Sequence, residues 1–147
     1  MLAKDFLTKE EQSLVVSAIK EAELNTSGEI RIHLDEECST DPMESAVSVF
    51  KYLKMEETAL RNGVLIYVAC GSNVFSIIGD EGINKIVPDN FWQDVSQAMA
   101  EKFKEGLFAE GLIIATKMVG IKLKDFFPYQ SDDINEHSDE ISFSNND

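Results

Sequence analysis

Two apolar runs separated by three turn residues constrain the fold of this chain more than any other feature of its sequence. Residues 64–70 are all apolar and include several β-branched side chains, residues 71–73 are Gly, Ser and Asn, and residues 74–78 form the second run. An unbroken apolar run is typical of a strand that is covered on both faces. The two runs therefore predict an antiparallel hairpin whose first strand lies in the middle of a sheet.

The predicted hairpin matters for function because it returns the chain to the edge of the sheet at which it entered. Arg61 and Asn62 precede the first run, and Asp80 and Glu81 follow the second. We expect these four residues to lie close together. The sequence thus predicts that a guanidinium group, two carboxylates and an amide meet at one edge of the sheet.

Ahead of the hairpin, the sequence predicts a helix followed by a strand. Thr8 and Glu11 match a capping box, and apolar residues at helical spacing come after them, so a first helix is expected over residues 9–24. Residues 29–34 alternate apolar and polar side chains, which is typical of a strand with one wetter face.

A second helix is predicted between this strand and the hairpin. Asp41 is a suitable N-cap, Pro42 suits the first helical position, and Glu44 places an acid in the first turn. The apolar residues expected to face inward are Ala46, Val47, Val49, Phe50 and Leu53. A helix between two neighbouring strands makes a βαβ unit, which is right-handed with parallel strands in nearly all known cases.

Two further helices complete the predicted fold. Apolar spacing predicts one helix over residues 91–103, ended by Gly106, and another over residues 108–123, ended near Pro128. We therefore predict an α/β fold, a three-layer α/β/α sandwich in which helices cover both faces of a small mixed sheet. Residues 1–128 form this domain, and the acidic residues 129–147 are predicted to be a disordered tail.

The composition limits the partners that the protein can have. A formal net charge of −14, from 27 acidic and 13 basic residues, argues against binding to nucleic acid, which requires a basic surface. We expect cations or cationic surfaces instead. The N-terminus has no signal-like apolar stretch and no run approaches the roughly 18 apolar residues of a membrane span, so the sequence predicts a cytoplasmic protein without a membrane span.

Parallel pairing of the first two strands extends the acidic edge, because it brings the start of the first strand to the same place. The candidate metal ligands are Asp80, Glu81, Glu29, Asn62 and Asp89, and the polar loop before the hairpin contributes Glu56, Glu57 and Thr58. Oxygen donors of this kind suit Ca²⁺ or Mg²⁺ as a cofactor. The alternative interpretation is that these acids form only a solvated rim.

The sequence leaves the role of Arg61 open and argues against some classes of catalytic site. Arg61 can hold a phosphate or simply pair with a carboxylate. Trp92, together with the preceding phenylalanine, is interpreted as a core residue that anchors a helix. His33 lies in the middle of a strand, so a Ser-His-Asp arrangement has no suitable base, and Cys38 and Cys70 are predicted to be free thiols.

Six short motifs occur in order along the chain: T-S-G-E-I at 26–30, D-P-x-E at 41–44, R-N-G-V-L-I-Y at 61–67, G-D-E-G-I at 79–83, F-W at 91–92 and F-K-E-G-L-F-A-E-G-L at 103–112. Taken together, these motifs resemble the TPM domain family, which includes thylakoid-lumen proteins linked to photosystem II repair and many bacterial proteins. The similarity spans roughly residues 5 to 128.

The resemblance implies an α/β/α sandwich and, as reported for plant members, an acid phosphatase activity with a calcium site between acidic loops. Carried over to this chain, the G-D-E-G motif places Asp80 and Glu81 at the cation, with Arg61, Asn62 and Glu29 beside it.

Two functional hypotheses follow. The first is a Ca²⁺- or Mg²⁺-dependent phosphomonoesterase, in which Asp80 and Arg61 are catalytic and a phosphomonoester is the substrate. The second is a cation-binding module without enzymatic activity, whose loops interact with a protein partner once the ion is bound.

Overall fold

A four-stranded mixed sheet with helices on both faces forms the fold in the computed structural model, which describes residues 1–129 and 141–143. The strands are β1 Glu29–Asp35, β2 Gly63–Ala69, β3 Val74–Gly79 and β4 Ser142–Phe143. The α-helices are α1 Lys9–Glu23, α2 Pro42–Tyr52, α3 Glu81–Asn84, α4 Phe91–Lys104 and α5 Phe108–Phe126, and a short 3-10 helix covers Ala3–Asp5. No helix within these described ranges is long and apolar enough to cross a membrane.

The strands lie in the order β3-β2-β1-β4 across the sheet. β1 runs parallel to β2 in a register that pairs Glu29 with Gly63. β3 returns antiparallel to β2 and pairs Gly79 with Val64. The parallel βαβ unit and the antiparallel hairpin predicted from the sequence are therefore both confirmed.

β2 is the centre of the fold, and each of its seven residues is buried. Ile66 belongs to a large apolar cluster that includes side chains from α1, α4 and α5. Its neighbour Tyr67 belongs to a smaller cluster that contains Ala46 and Phe50 of α2. Because successive side chains of a strand point to opposite faces, these two clusters form the two interfaces of the predicted α/β/α sandwich, which is confirmed.

The first two helices begin as the sequence predicts. Thr8 Oγ1 accepts a hydrogen bond from the Glu11 backbone N–H at 3.1 Å, and Glu11 Oε1 accepts one from the Thr8 N–H at 2.8 Å, which completes a capping box. Asp41 Oδ2 accepts hydrogen bonds from two backbone N–H groups in the first turn of α2. These bonds satisfy N–H groups that have no partner within the helix.

The inward position predicted for Val47 is wrong, because this side chain is 38% exposed. Ala46 and Phe50 face the sheet instead. Successive residues of a helix are rotated by about 100°, so the residue next to a buried position can lie at the rim of the interface. Val47 lies at such a rim, where it lines a cavity.

Part of the segment predicted to be a disordered tail is an ordered strand. Residues 141–143 lie beside β1, where Ser142 pairs with His33 in a parallel register. Ile141 is buried, with 8% of its surface exposed, and Ser142 Oγ donates a hydrogen bond to the Ile32 carbonyl oxygen at 3.3 Å. The disorder predicted for residues 130–140 and 144–147 concerns residues outside those that the structure describes.

His33 joins β4 to the rest of the sheet. Its Nδ1 lies 2.8 Å from Ser142 Oγ, and its ring stacks on Tyr67 with a centroid distance of 6.2 Å. Burial lowers the pKa of His33, and the charge of Arg31 adds to this effect, whereas Asp35 opposes it. The folded structure therefore favours the uncharged imidazole.

Replacement of Ile141 by Ala tests whether β4 contributes to stability. We expect the free energy of unfolding, measured with urea, to fall by about 2 kcal/mol, since the substitution removes a buried aliphatic side chain. Ile121→Ala is the matched control, because Ile121 is 61% exposed and its loss should change stability by less than about 0.5 kcal/mol. Equal effects of the two substitutions would show that β4 does not pack on the sheet in solution.

The buried His33 predicts that stability falls as the pH is lowered through about 6.5, the pKa expected of an unfolded histidine. The folded pKa is lower, so the unfolded state takes up the proton first, and each pH unit below this point costs at most about 1.4 kcal/mol. Urea unfolding at several pH values between about 5.5 and 7.5 measures the loss. The loss should be smaller in His33→Gln, and an unchanged slope would contradict the prediction.

Candidate functional site

The residues predicted to form an acidic edge come from three strand ends that meet in the structure. Glu29 begins β1 and pairs with Gly63, the first residue of β2. The Asp80 backbone N–H, just after β3, donates to the Gly63 carbonyl oxygen at 2.9 Å. The parallel pairing and the hairpin together place Glu29, Asn62 and Asp80 at the same edge of the sheet. We refer to this region as the acidic edge.

Arg61 and Asp80 form a bidentate ion pair at the acidic edge. Arg61 Nε donates to Asp80 Oδ2 at 2.7 Å, and Arg61 Nη2 donates to Asp80 Oδ1 at 2.9 Å. Asp80 Oδ1 also accepts the Glu81 backbone N–H at 2.8 Å, so Asp80 caps α3 at the same time. Two parallel hydrogen bonds fix the guanidinium plane as well as its position.

The charges around Arg61 are unequally exposed. The Asp80 side chain is 7% exposed, whereas that of Arg61 is 41% exposed and that of Glu81 is 59% exposed. Hydrogen bonding to Asp80 raises the pKa of Arg61, and Glu81 and Glu56 add to this effect. Arg61 is therefore a permanent positive charge that is held in place by a buried carboxylate and remains open to solvent on one side.

The loop that contains Arg61 lies in close backbone contact with α3. Arg61 has a left-handed backbone conformation, with φ of 52°, which residues other than glycine rarely adopt. The Gly82 N–H donates to the Arg61 carbonyl oxygen at 2.8 Å. A Cβ atom at Gly82 would lie 2.6 Å from this oxygen and would also collide with the Leu60 carbonyl oxygen. Only glycine at this position allows the two loops to approach so closely.

Two side-chain oxygen atoms near this ion pair are buried without a hydrogen bond. Asn62 is 1% exposed, and its Nδ2 donates to Ser27 Oγ at 3.3 Å, while its backbone N–H donates to Thr58 Oγ1 at 3.2 Å. Within the described residues, however, Asn62 Oδ1 and Glu56 Oε2 accept no hydrogen bond. A buried oxygen without a donor costs free energy, so an electropositive ligand would stabilise these two positions.

A cavity of about 420 Å³ opens next to the acidic edge, along the edge strand β3, and residues of α2 and Trp92 of α4 line it from the two faces of the sheet. Its polar lining residues include Glu56, Arg61 and Asp80. Trp92 belongs to the apolar lining, and its indole Nε1 donates to Asn84 Oδ1 at 2.9 Å.

Gly79 explains how Trp92 comes so close to the acidic edge. The indole lies against the backbone of β3, where a Cβ atom at Gly79 would lie 2.8 Å from Trp92 Cη2 and even closer to Cζ2. The interpretation of Trp92 as a core residue is therefore incomplete, because its ring packs against the core and also lines the cavity. The signal in the sequence was the glycine immediately before Asp80.

The other predicted site residues differ in how well they fit a cation site. Glu29 is buried and Thr58 holds the Asn62 loop, but Glu57, Glu81 and Asp89 are exposed. Among the residues that the structure describes, no three or more His, Cys, Asp or Glu side chains are grouped in a way that could hold a metal ion. The Ca²⁺ or Mg²⁺ site stays a prediction, and it requires amide or other neutral oxygens in addition to carboxylates.

The unsatisfied oxygens of Asn62 and Glu56 meet this requirement. Both are hard donors, one neutral and one charged, and hard donors are the type that Ca²⁺ and Mg²⁺ prefer. These two oxygens are of the type that the predicted ion would need, whereas both oxygens of Asp80, another predicted ligand, already accept hydrogen bonds from Arg61.

Comparison with known proteins gives the family of this chain. The model of the TPM domain matches residues 2–121. The BA42 protein of the psychrophilic bacterium Bizionia argentinensis is similar in structure, with 45% sequence identity and a TM-score of 0.89 over 96% of this chain and 97% of that chain. The N-terminal domain of the cg2496 protein from Corynebacterium glutamicum shares the fold at 12% identity, with a TM-score of 0.66 over 90% of this chain and 82% of that chain.

No curated protein matches the chain. The TPM model nevertheless covers well over half of its 147 residues, from the first helix into α5. The chain therefore belongs to the TPM domain family.

Proposed function

We propose that the protein is a phosphomonoesterase that depends on Ca²⁺ or Mg²⁺ and acts at the acidic edge. The observation that carries this proposal is the pair of buried oxygens, Asn62 Oδ1 and Glu56 Oε2, that lack a donor beside the permanent positive charge of Arg61. Such a site offers oxygen ligands for a cation and a guanidinium for an anion. The name of the matching family model, TPM phosphatase, supports the same activity.

Arg61 is the group that binds the phosphate. A guanidinium has five N–H bonds, and three of them point to Asp80 and Glu81. One N–H on each terminal nitrogen is left for oxygen atoms of a phosphomonoester, and this fork geometry matches a phosphate. A fixed cation of this kind also stabilises the negative charge that develops during phosphoryl transfer.

Asp80 acts through Arg61 and is a positioning residue in this proposal. Its Oδ1 accepts two hydrogen bonds and its Oδ2 accepts one, so most of its acceptor capacity is used within the protein. Because Asp80 is buried, water competes poorly for these bonds. The carboxylate therefore holds the guanidinium ready before substrate arrives, which removes a cost of ordering at the time of reaction.

The cation would be held by Asn62 Oδ1 and Glu56 Oε2, with Glu29 and Asp80 at the same edge and Glu81 and Asp89 on exposed neighbouring segments. When bound there, a divalent ion supplies Lewis acidity toward a phosphoryl oxygen and lowers the pKa of a bound water. The Thr58 hydroxyl accepts a hydrogen bond from the Asn62 backbone N–H. Ser27 Oγ accepts one from Asn62 Nδ2, which leaves Asn62 Oδ1 available to the cation.

A second function, cation binding without catalysis, is favoured by the residues that line the cavity. In the described part of the chain, the lining contains no Ser, Thr, Cys or His that could act as a nucleophile. In this alternative the ion orders the loops for a protein partner, and no phosphate is hydrolysed. The two functions differ in turnover, which makes them easy to separate.

Hydrolysis of an aryl phosphate tests the first function. Activity should require Ca²⁺ or Mg²⁺, disappear with a chelator and fall at least about a hundredfold in Arg61→Lys, because lysine cannot make the two-pronged pair with Asp80. Asp80→Asn should also lower kcat strongly, because it removes the carboxylate that holds Arg61 in place. Asp125→Asn, an exposed change on α5, is the control and should leave the rate unchanged. Activity that persists in all variants and without metal would reveal a contaminant.

Binding of Ca²⁺ tests the oxygen ligands independently of turnover. In an NMR titration, chemical shifts should change at residues 29, 54–62 and 80–81. Glu56→Gln should weaken binding by about tenfold or more, since it removes the charge of one ligand without changing its shape. Glu101→Gln on the exposed side of α4 is the matched control. Shifts without any turnover would support the second function, and no shifts at millimolar Ca²⁺ would contradict both.

A further inference from the structure

The apolar half of the cavity beside Arg61 is not explained by binding a cation and a phosphate. We call this half the aryl groove and define it by Met43 and Val47 of α2, Ile77 and Ile78 of β3, and Trp92 of α4. The groove opens directly onto Arg61 and Asp80. A phosphate alone would contact Arg61 and leave these apolar walls exposed to water.

Two of the residues that line the aryl groove are unusually exposed for apolar side chains of their size. Met43 is 49% exposed and Val47 is 38% exposed. Single exposed apolar residues are common and need no explanation. Here, however, both line one concave surface that also contains a fixed cation, and an apolar pocket with a few convergent polar groups is the usual form of a ligand site.

Trp92 makes one wall of the groove flat and rigid. The hydrogen bond from its Nε1 to Asn84 and the contact of its ring with Gly79 restrict the orientation of the indole. A ring that is already held in place loses little conformational entropy when a ligand stacks on it. Aromatic ligands gain most from such a surface, because ring pairs are stabilised beyond their buried area.

Two cations, Arg61 and Lys51, and two carboxylates, Glu56 and Asp80, line the cavity. The Asp80 oxygens are already used by Arg61 and by the Glu81 backbone N–H, so the N–H groups left free on Arg61 are the donors that an anionic ligand reaches. The available volume of about 420 Å³ is sufficient for a ring with a phosphate, since a cavity of about 150 Å³ already holds benzene. Apolar walls, a flat aromatic side and a cation at one end together complement an aryl phosphate.

We propose that the aryl groove binds the organic group of an aryl phosphomonoester whose phosphate is held by Arg61. This inference rests on the proposed function for the identity of the reacting group, and it adds the class of substrate. The ring lies between Trp92 and Val47. Small polar phosphomonoesters such as glycerol 2-phosphate have a similar charge but no apolar group that fills the groove, so the protein discriminates against them.

Intrinsic fluorescence measures occupancy of the groove directly, because Trp92 is the only tryptophan in the chain. The full chain is titrated with phenyl phosphate, glycerol 2-phosphate and inorganic phosphate in the presence of Ca²⁺. Phenyl phosphate should change the emission and bind at least about tenfold more tightly than the other two, since it alone buries apolar surface. Equal affinities for the three probes would overturn the inference.

A substitution in the wall tests the location of the ring. Val47→Asn should weaken binding of phenyl phosphate by about fivefold, as measured by calorimetry, and should leave binding of inorganic phosphate unchanged. Leu14→Asn is the matched control, because Leu14 is 59% exposed on α1 and does not line the cavity. An equal loss for both variants, or a loss for inorganic phosphate as well, would contradict the assignment.

The outcome separates this inference from the proposed function. If phenyl phosphate binds selectively but is not hydrolysed, the aryl groove stands and the enzymatic function fails. If aryl and alkyl phosphates are hydrolysed with the same kcat/KM and bind equally, the enzymatic function stands and the groove assignment fails.

Discussion

Complete burial of β2 is the constraint on which the rest of this structure depends. A strand whose seven residues are all buried needs apolar cover on both faces and hydrogen-bonding neighbours on both edges. α2 supplies the cover on one face, and α1, α4 and α5 supply it on the other. β1 and β3 satisfy the two edges. The start of β1, the start of β2 and the end of β3 then lie together, and these strand ends form the acidic edge.

The acidic edge remains organised because its loops are joined by backbone contacts as well as by charges. The Asp80 N–H donates to Gly63, and the Gly82 N–H donates to Arg61. These bonds hold Arg61 in a left-handed conformation that would otherwise be unfavourable. Strain of this kind persists only where the surrounding structure compensates for it, and here it aims the guanidinium at a buried carboxylate.

The sequence predicted those parts of the structure that leave a local pattern. The capping box at Thr8 and Glu11, the apolar run of β2 and the turn before β3 all follow from residues near each other in the chain. Ile141 and the following strand β4 leave no such signal, because a strand of two residues has no period and its pairing depends on the distant edge of β1. Trp92 likewise reaches the cavity only because Gly79, far from it in sequence, leaves room for the indole.

The most important difference between the predicted and the observed site concerns the partner of Asp80. The sequence made this carboxylate one of the candidate metal ligands and left open whether Arg61 pairs with a carboxylate; in the structure the Asp80 oxygens bind Arg61 and cap α3. A carboxylate that already neutralises a guanidinium attracts a second cation weakly, since the two positive charges repel each other. The proposed ion therefore depends more on Asn62 and Glu56. In the proposed function, Arg61 therefore has the anion-binding role, Asn62 and Glu56 have the cation-binding role, and metal-assisted hydrolysis of a phosphate combines the two.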